Sequence, residues 1–138
     1  MALFLPLSMA KDLSVLIGLH DADTLRMANV SAETTGFSVY AASCLEEMKV
    51  LMKGRDYIGY LMDLNLRHGG KIHPLDITPA KEVYTLVRER VERQEAVFLG
   101  VSGRDDVVKM ASKEHIPAEI KPFHMFPFLH RCDEIVIK

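Results

Sequence analysis

The sequence predicts an α/β domain with a doubly wound parallel sheet, and three observations support this prediction. Short apolar or alternating runs recur along the chain, and each precedes a segment whose apolar residues repeat at helical spacing. This alternation occurs five times in 138 residues, and no internal repeat or low-complexity stretch interrupts it. Strands that alternate with helices form parallel sheets joined by right-handed crossovers, with helices on both faces.

The five predicted strands are short, and the central ones are continuously apolar. Such runs are typical of strands buried on both faces of a parallel sheet. Alternation of side chains is clear only in the second strand, and the fifth is weak. The predicted strands cover residues 15–19, 37–41, 57–62, 96–101 and 118–120. Their spacing favours a flavodoxin-like (βα)5 sheet with strand order 2-1-3-4-5.

Capping signals precede four predicted helices. Gly36 and Gly54 are typical of residues at which helices end, and Pro79 is favourable in a first helical turn. Pro127 lies within the last segment, where a proline disfavours a helix interior, so no regular last helix is predicted and residues 135–137 are expected to be extended. The predicted helix starts are Asp23, Ser43, Thr78 and Asp105.

Composition narrows the classes of function. The formal net charge is −2 with no basic run, so we expect no nucleic-acid binding. No stretch approaches the roughly 18 apolar residues of a membrane span, and the apolar start lacks a basic leader. Cys44 and Cys132 fit neither a disulfide framework nor a metal motif, and free thiols indicate a reducing compartment, the cytoplasm.

Three polar side chains follow predicted strands at the point where each strand ends. Asp63 follows the third strand, Ser102 the fourth, and Lys121 the fifth. The carboxyl ends of parallel strands meet at one crevice, where ligands bind, so these side chains are expected to converge. A carboxylate nucleophile, a hydroxyl donor and a fixed cation are suited to phosphoryl capture.

With these anchors the chain resembles the response-regulator receiver family, the CheY-like domains. The resemblance covers roughly residues 14 to 130 and includes His20-Asp21 after the first strand and the triplet Lys121-Pro122-Phe123 after the fifth. It implies residues 1–13 as an N-terminal extension and 14–138 as a receiver-like domain. It also implies a cis peptide bond before Pro122.

The resemblance also implies roles for individual residues. Asp63 would accept a phosphoryl group from a phosphohistidine, as the phosphoprotein of a two-component or phosphorelay pathway. Asp21, Asp63 and the backbone carbonyl of Asn65 would bind Mg²⁺, which prefers hard oxygen ligands. Lys121 would pair with one phosphoryl oxygen, and Ser102 would donate to another.

The implied partners are a sensor histidine kinase or phosphotransfer protein and an unknown output protein. The domain would be a signalling module and not an enzyme with turnover. A homodimer through the fourth helix, fifth strand and fifth helix is a further expectation.

Three features depart from the family pattern. His20 occupies a position where the family has a second acid, and imidazole is a poor ligand for Mg²⁺. Ala118 replaces an aromatic residue whose rotamer normally follows phosphorylation. The segment from Asp63 to Ser102 is longer than usual, and the excess lies in residues 66–77.

Two alternatives stay open at this point. His20 and Ala118 favour a pseudo-receiver, which keeps the fold and acts through protein contacts without phosphorylation. The run Asp21-Ala22-Asp23 is similar to the paired-aspartate motif of the haloacid dehalogenase superfamily, although Leu25 departs from that motif.

Overall fold

A computed structural model describes residues 13–136 of the chain. Five parallel strands form one sheet in the order β2-β1-β3-β4-β5, which confirms the predicted strand order. Apart from Leu13, the predicted extension 1–13 lies outside the described residues. The strands are β1 (Ser14–Gly18), β2 (Ser38–Ala42), β3 (Gly59–Asp63), β4 (Val97–Ser102) and β5 (Ala118–Ile120).

Five helices follow the strands and cover both faces of the sheet. The three central strands are buried along their whole length, which explains their continuous apolar character. The helices are α1 (Ala22–Thr34), α2 (Leu45–Gly54), α3 (Thr78–Glu92), α4 (Asp105–Lys113) and α5 (Met125–Val136).

Successive side chains of the central strands enter two separate apolar cores. Leu16 and Phe98 face the core that includes residues of α2, α3 and α4. Val15 and Leu99 face the opposite core, which α1 and α5 complete. The alternation follows from the period of two along a strand, and it fixes the register of the sheet.

The N-terminal caps of three helices differ from the prediction. Asp21, and not Asp23, caps α1, because its Oδ2 accepts a hydrogen bond from the backbone N–H of Thr24 at 2.9 Å. Cys44, at the cap position before α2, makes no capping hydrogen bond with its side chain. Ser43 does not cap the helix either and contacts Glu47 instead.

Helix α3 begins at Thr78 as predicted, but its cap is different. Thr78 is already helical and does not act as the cap. Oδ1 of Asp76 accepts the Thr78 N–H at 2.9 Å. A carboxylate two residues earlier therefore satisfies a donor that has no partner within the helix.

The last segment forms a regular helix, contrary to the expectation from Pro127. Pro127 is the third residue of α5, and amides in a first helical turn have no intrahelical acceptor, so the proline removes no hydrogen bond. Ile135 and Val136 are helical and not extended, and Ile137 lies outside the described residues.

Candidate functional site at the carboxyl edge of the sheet

The candidate site is built at the carboxyl ends of three neighbouring strands. Asp63 is the last residue of β3, Ser102 is the last residue of β4, and Lys121 directly follows β5. Both Asp63 and Ser102 are almost fully buried, with relative exposures of 1% and 4%. They are two of the three polar residues that are buried in the described chain. Because polar side chains are mostly exposed to solvent, the burial of these two indicates a specific role.

Lys121 lies against the buried carboxylate of Asp63. Its Nζ is 2.7 Å from Oδ1 of Asp63. The contact is an ion pair and not a well-directed hydrogen bond, because Oδ1 has no hydrogen-bond partner among residues 13–136. An isolated carboxylate at this depth would be costly, so the ammonium group compensates its charge. The peptide bond between Lys121 and Pro122 is cis.

His20 contacts the other oxygen of the same carboxylate. Its backbone N–H donates to Oδ2 of Asp63 at 2.9 Å, and its Nε2 lies 3.2 Å from the same oxygen. The sequence marked His20 only as a departure from the family pattern and did not predict the contact. The feature that could have indicated this contact is the position of His20 two residues after β1, because β1 lies beside β3, the strand that carries Asp63.

The burial of the His20 side chain disfavours its protonated form. Burial lowers the pKa of the imidazole below its usual value, although the Asp63 carboxylate acts in the opposite direction. Lys121 and Arg67 lower the pKa of His20 further. The buried Nδ1 of the ring has no hydrogen-bond partner among residues 13–136.

Ser102 is connected to Lys121 through the backbone. Its carbonyl accepts the Lys121 N–H at 2.8 Å, which fixes the start of the turn after β5. Its Oγ accepts the backbone N–H of Arg104 at 3.1 Å. The hydroxyl hydrogen stays available for a further acceptor, because the oxygen is the accepting atom in that bond.

The side chains of Asp21 and Asn65 are engaged elsewhere. Oδ2 of Asp21 accepts both the backbone and the hydroxyl hydrogens of Thr24, and these two bonds lower the pKa of the Asp21 carboxyl. The side-chain amide of Asn65 donates to the carbonyl of Pro74 at 3.3 Å. Within residues 13–136, no group of three or more His, Cys, Asp and Glu side chains could hold a metal ion.

The extra segment 66–77 folds into an ordered loop beside the site. His68 and Lys71 exchange backbone hydrogen bonds across Gly69 and Gly70, whose φ angles of 61° and 78° are accessible to glycine at little cost. The carbonyl of Arg67 accepts the N–H of Leu45, which attaches the loop to the start of α2.

Solved structures of response-regulator receiver domains are similar to this chain throughout. The beryllofluoride-activated NtrC4 receiver domain dimer matches with a TM-score of 0.65 and 16% identity, over 90% of this chain and 96% of that chain. A response regulator from Burkholderia pseudomallei with a phosphorylated aspartic acid and a calcium ion gives 0.65 and 17%, over 90% and 71%. A CheY-like receiver domain from Methanospirillum hungatei gives 0.66 and 15%, over 92% and 95%.

These similarities show that the chain has the receiver-domain fold, as the resemblance in sequence implied. No protein-family model and no curated protein matches the sequence. Among the helices of residues 13–136, none has the length and apolar character needed to cross a bilayer.

Proposed function

We propose that this chain is a receiver-type signalling domain in which Asp63 accepts a phosphoryl group. The carrying observation is the ion pair of 2.7 Å between the buried carboxylate of Asp63 and Nζ of Lys121, at the carboxyl edge of a receiver-type sheet. A buried carboxylate beside a fixed cation is suited to phosphoryl transfer. The cation that neutralises the carboxylate can also stabilise the negative oxygens of the incoming phosphoryl group.

The proposed step is a nucleophilic displacement at phosphorus. A carboxylate oxygen of Asp63 forms the new O–P bond while the P–N bond to a phosphohistidine imidazole breaks. The imidazole leaves with the electron pair of that bond and takes up a proton. Lys121 then pairs with a phosphoryl oxygen, and the hydroxyl of Ser102 turns to donate to another.

The proposal includes a divalent ion that Asp21, Asp63 and the backbone carbonyl of Asn65 would bind. These are hard oxygen ligands of the kind that Mg²⁺ prefers, and Mg²⁺ would supply neutralisation of phosphoryl charge when bound. Neither carboxylate is free in the described structure, because Asp21 accepts from Thr24 and Asp63 from His20. The magnesium set stays a prediction.

The proposed partners follow from the chemistry of the donor. A phosphohistidine on a sensor histidine kinase or phosphotransfer protein would supply the phosphoryl group, in the cytoplasm. The phosphorylated form would then act by docking to an output protein or by pairing as a homodimer. Any self-catalysed chemistry would be limited to gain and loss of the phosphoryl group on Asp63.

The proposal is tested with a small phosphodonor. The protein is incubated with phosphoramidate or acetyl phosphate and Mg²⁺, and its intact mass is measured. We expect addition of one phosphoryl group to the wild-type chain and none to Asp63→Asn. Asp56→Asn is the matched control, because Asp56 is an exposed aspartate that precedes the same strand, and it should be labelled as the wild type is. No added mass on the wild type, under conditions that label a control receiver, would contradict the proposal.

A second candidate is the phosphorylation-independent pseudo-receiver. It is favoured by the contacts that occupy both oxygens of Asp63, namely His20 on Oδ2 and Lys121 on Oδ1. Ala118 also leaves β5 without an aromatic side chain that could change rotamer. In cells, a folded Asp63→Asn variant that retains full signalling output would favour this candidate, and loss of output would exclude it.

A further inference from the structure

We infer that the His20 side chain competes with divalent cations for the carboxylate of Asp63, and so determines how strongly this site binds metal. The inference rests on the proposed function, because it concerns the same carboxylate. Nε2 of His20 lies 3.2 Å from Oδ2 of Asp63, and Nζ of Lys121 lies 2.7 Å from Oδ1. Both oxygens therefore face a protein group.

A cation at Oδ2 would have to replace the imidazole. This oxygen already accepts the backbone N–H of His20 at 2.9 Å, so the imidazole is the second group on it. The backbone N–H is fixed by the chain, whereas the side chain can rotate about its own torsions. On the other oxygen, the ammonium of Lys121 would repel a cation.

The polar contact of the His20 ring with Asp63 is made by Nε2. Its second nitrogen, Nδ1, is buried and has no hydrogen-bond partner among residues 13–136. When the ring rotates away, Nδ1 therefore has no hydrogen bond to a described residue to lose. Metal binding would then be weakened by the free energy of one polar contact with a carboxylate, and not abolished.

Two other roles of His20 predict different effects of its removal on metal binding. A metal-ligating imidazole would strengthen binding, and its removal would weaken it. A simple turn residue would have no effect on binding. Because Mg²⁺ prefers oxygen over nitrogen ligands, tighter Mg²⁺ binding after removal of the imidazole would indicate competition for the carboxylate.

Isothermal titration of the full chain with Mg²⁺ tests the inference. We expect His20→Ala to bind Mg²⁺ about threefold or more tightly than the wild type, the equivalent of one modest hydrogen bond. His20→Asp should bind more tightly still, because it adds a carboxylate. His130→Gln is the matched control, since His130 is an exposed histidine on α5, and its affinity should equal that of the wild type.

Unchanged or weaker binding by His20→Ala would overturn the inference, as would the absence of saturable binding in every variant. A measurement on the wild type covers the case in which His20→Ala does not fold. In that measurement Mg²⁺ is titrated while the imidazole resonances of His20 are followed by NMR, and a ring that stays on Asp63 at saturation would refute competition. Phosphoryl labelling is a separate measurement, so a failure to label would contradict the proposed function and leave the affinity comparison valid.

Discussion

At the scale of single residues, the central feature is a buried carboxylate whose charge is balanced by one lysine. Asp63 has a relative exposure of 1%, whereas the side chain of Lys121 is 26% exposed. A charge at the depth of Asp63 is tolerated because the ammonium group lies at contact distance. The partial exposure of Lys121 means that solvent screens part of this attraction.

Replacement of Lys121 by methionine should destabilise the protein. The change keeps most of the apolar stem and removes the ammonium, so we expect a loss of about 1–3 kcal/mol in the free energy of unfolding, after allowance for screening. Urea denaturation at neutral pH measures it. Lys109→Met removes a fully exposed ion pair with Asp105 and should have no measurable effect. Equal effects of the two substitutions would contradict the account.

Much of the site was predictable from strand ends, and the rest depended on side-chain direction. Asp63, Ser102 and Lys121 were predicted because the carboxyl ends of parallel strands meet at one edge. The contact of His20 with Asp63 was not predicted, because a sequence does not specify the rotamer of a side chain in a turn. Asp21 was assigned to metal binding by resemblance, and its role as the cap of α1 depends on a local backbone conformation.

At the scale of elements, close packing between β3 and α5 depends on a strand glycine. A β-carbon at Gly59 would lie 2.6 Å from Sγ of Cys132 and 2.9 Å from Cζ of Phe128. The absence of a side chain therefore allows α5 to approach the sheet. The sequence predicted this strand within two residues, but it gave no indication of which helix would need the space.

Gly59→Ala should destabilise the fold through overpacking. We expect a loss of about 1–3 kcal/mol in the free energy of unfolding. The matched control is Gly54→Ala at the end of α2, where an added β-carbon meets nothing within 4 Å. That variant should be unchanged or slightly stabilised, by up to about 1 kcal/mol, because alanine favours a helix. Thermal or urea unfolding measures the stability of both variants. A Gly59→Ala variant that is as stable as the wild type would refute the packing argument.

The start of α3 should depend on pH through Asp76. Hydrogen bonds from Thr78 hold the pKa of the Asp76 carboxyl below its usual value. A depressed folded-state pKa stabilises the protein above the unfolded-state value of about 3.9, and this contribution is lost as the pH falls through the folded-state pKa. We expect Asp76→Asn to be less stable than the wild type at neutral pH and the difference to shrink as the medium is acidified.

Urea unfolding of both proteins over that pH range tests the prediction for Asp76. The asparagine retains a side-chain acceptor for the Thr78 N–H, so this hydrogen bond is kept while the charge, which also faces His68, is removed. A stability difference that is independent of pH would show that the charge of Asp76 does not act on the fold.

At the scale of the whole molecule, the two cysteines report on cooperative unfolding. Cys132 is completely buried in the core between the sheet and α5, and burial raises the pKa of its thiol to about 12. Cys44 is partly exposed before α2, and both thiols are free. A thiol reacts as its thiolate, so Cys132 becomes reactive only when the domain opens.

An aromatic disulfide reagent should therefore detect two classes of thiol. We expect Cys44 to react promptly in the native protein and Cys132 to react at a rate limited by opening, which denaturant accelerates. The control is Cys44→Ser, which retains only the slowly reacting thiol of Cys132. Rapid reaction of Cys132 in that native variant would show that the core is less closed than the structure indicates.

The proposal that Asp63, Ser102 and Lys121 form one phosphoryl-accepting site is tested most directly by a crystal structure with beryllium fluoride and Mg²⁺. Beryllium fluoride is a mimic of a phosphoryl group on a carboxylate. We predict density bonded to a carboxylate oxygen of Asp63, with Nζ of Lys121 and Oγ of Ser102 in contact with the fluorines. A carboxylate that remains unmodified and paired with Lys121 and His20 at saturating reagent would contradict the account.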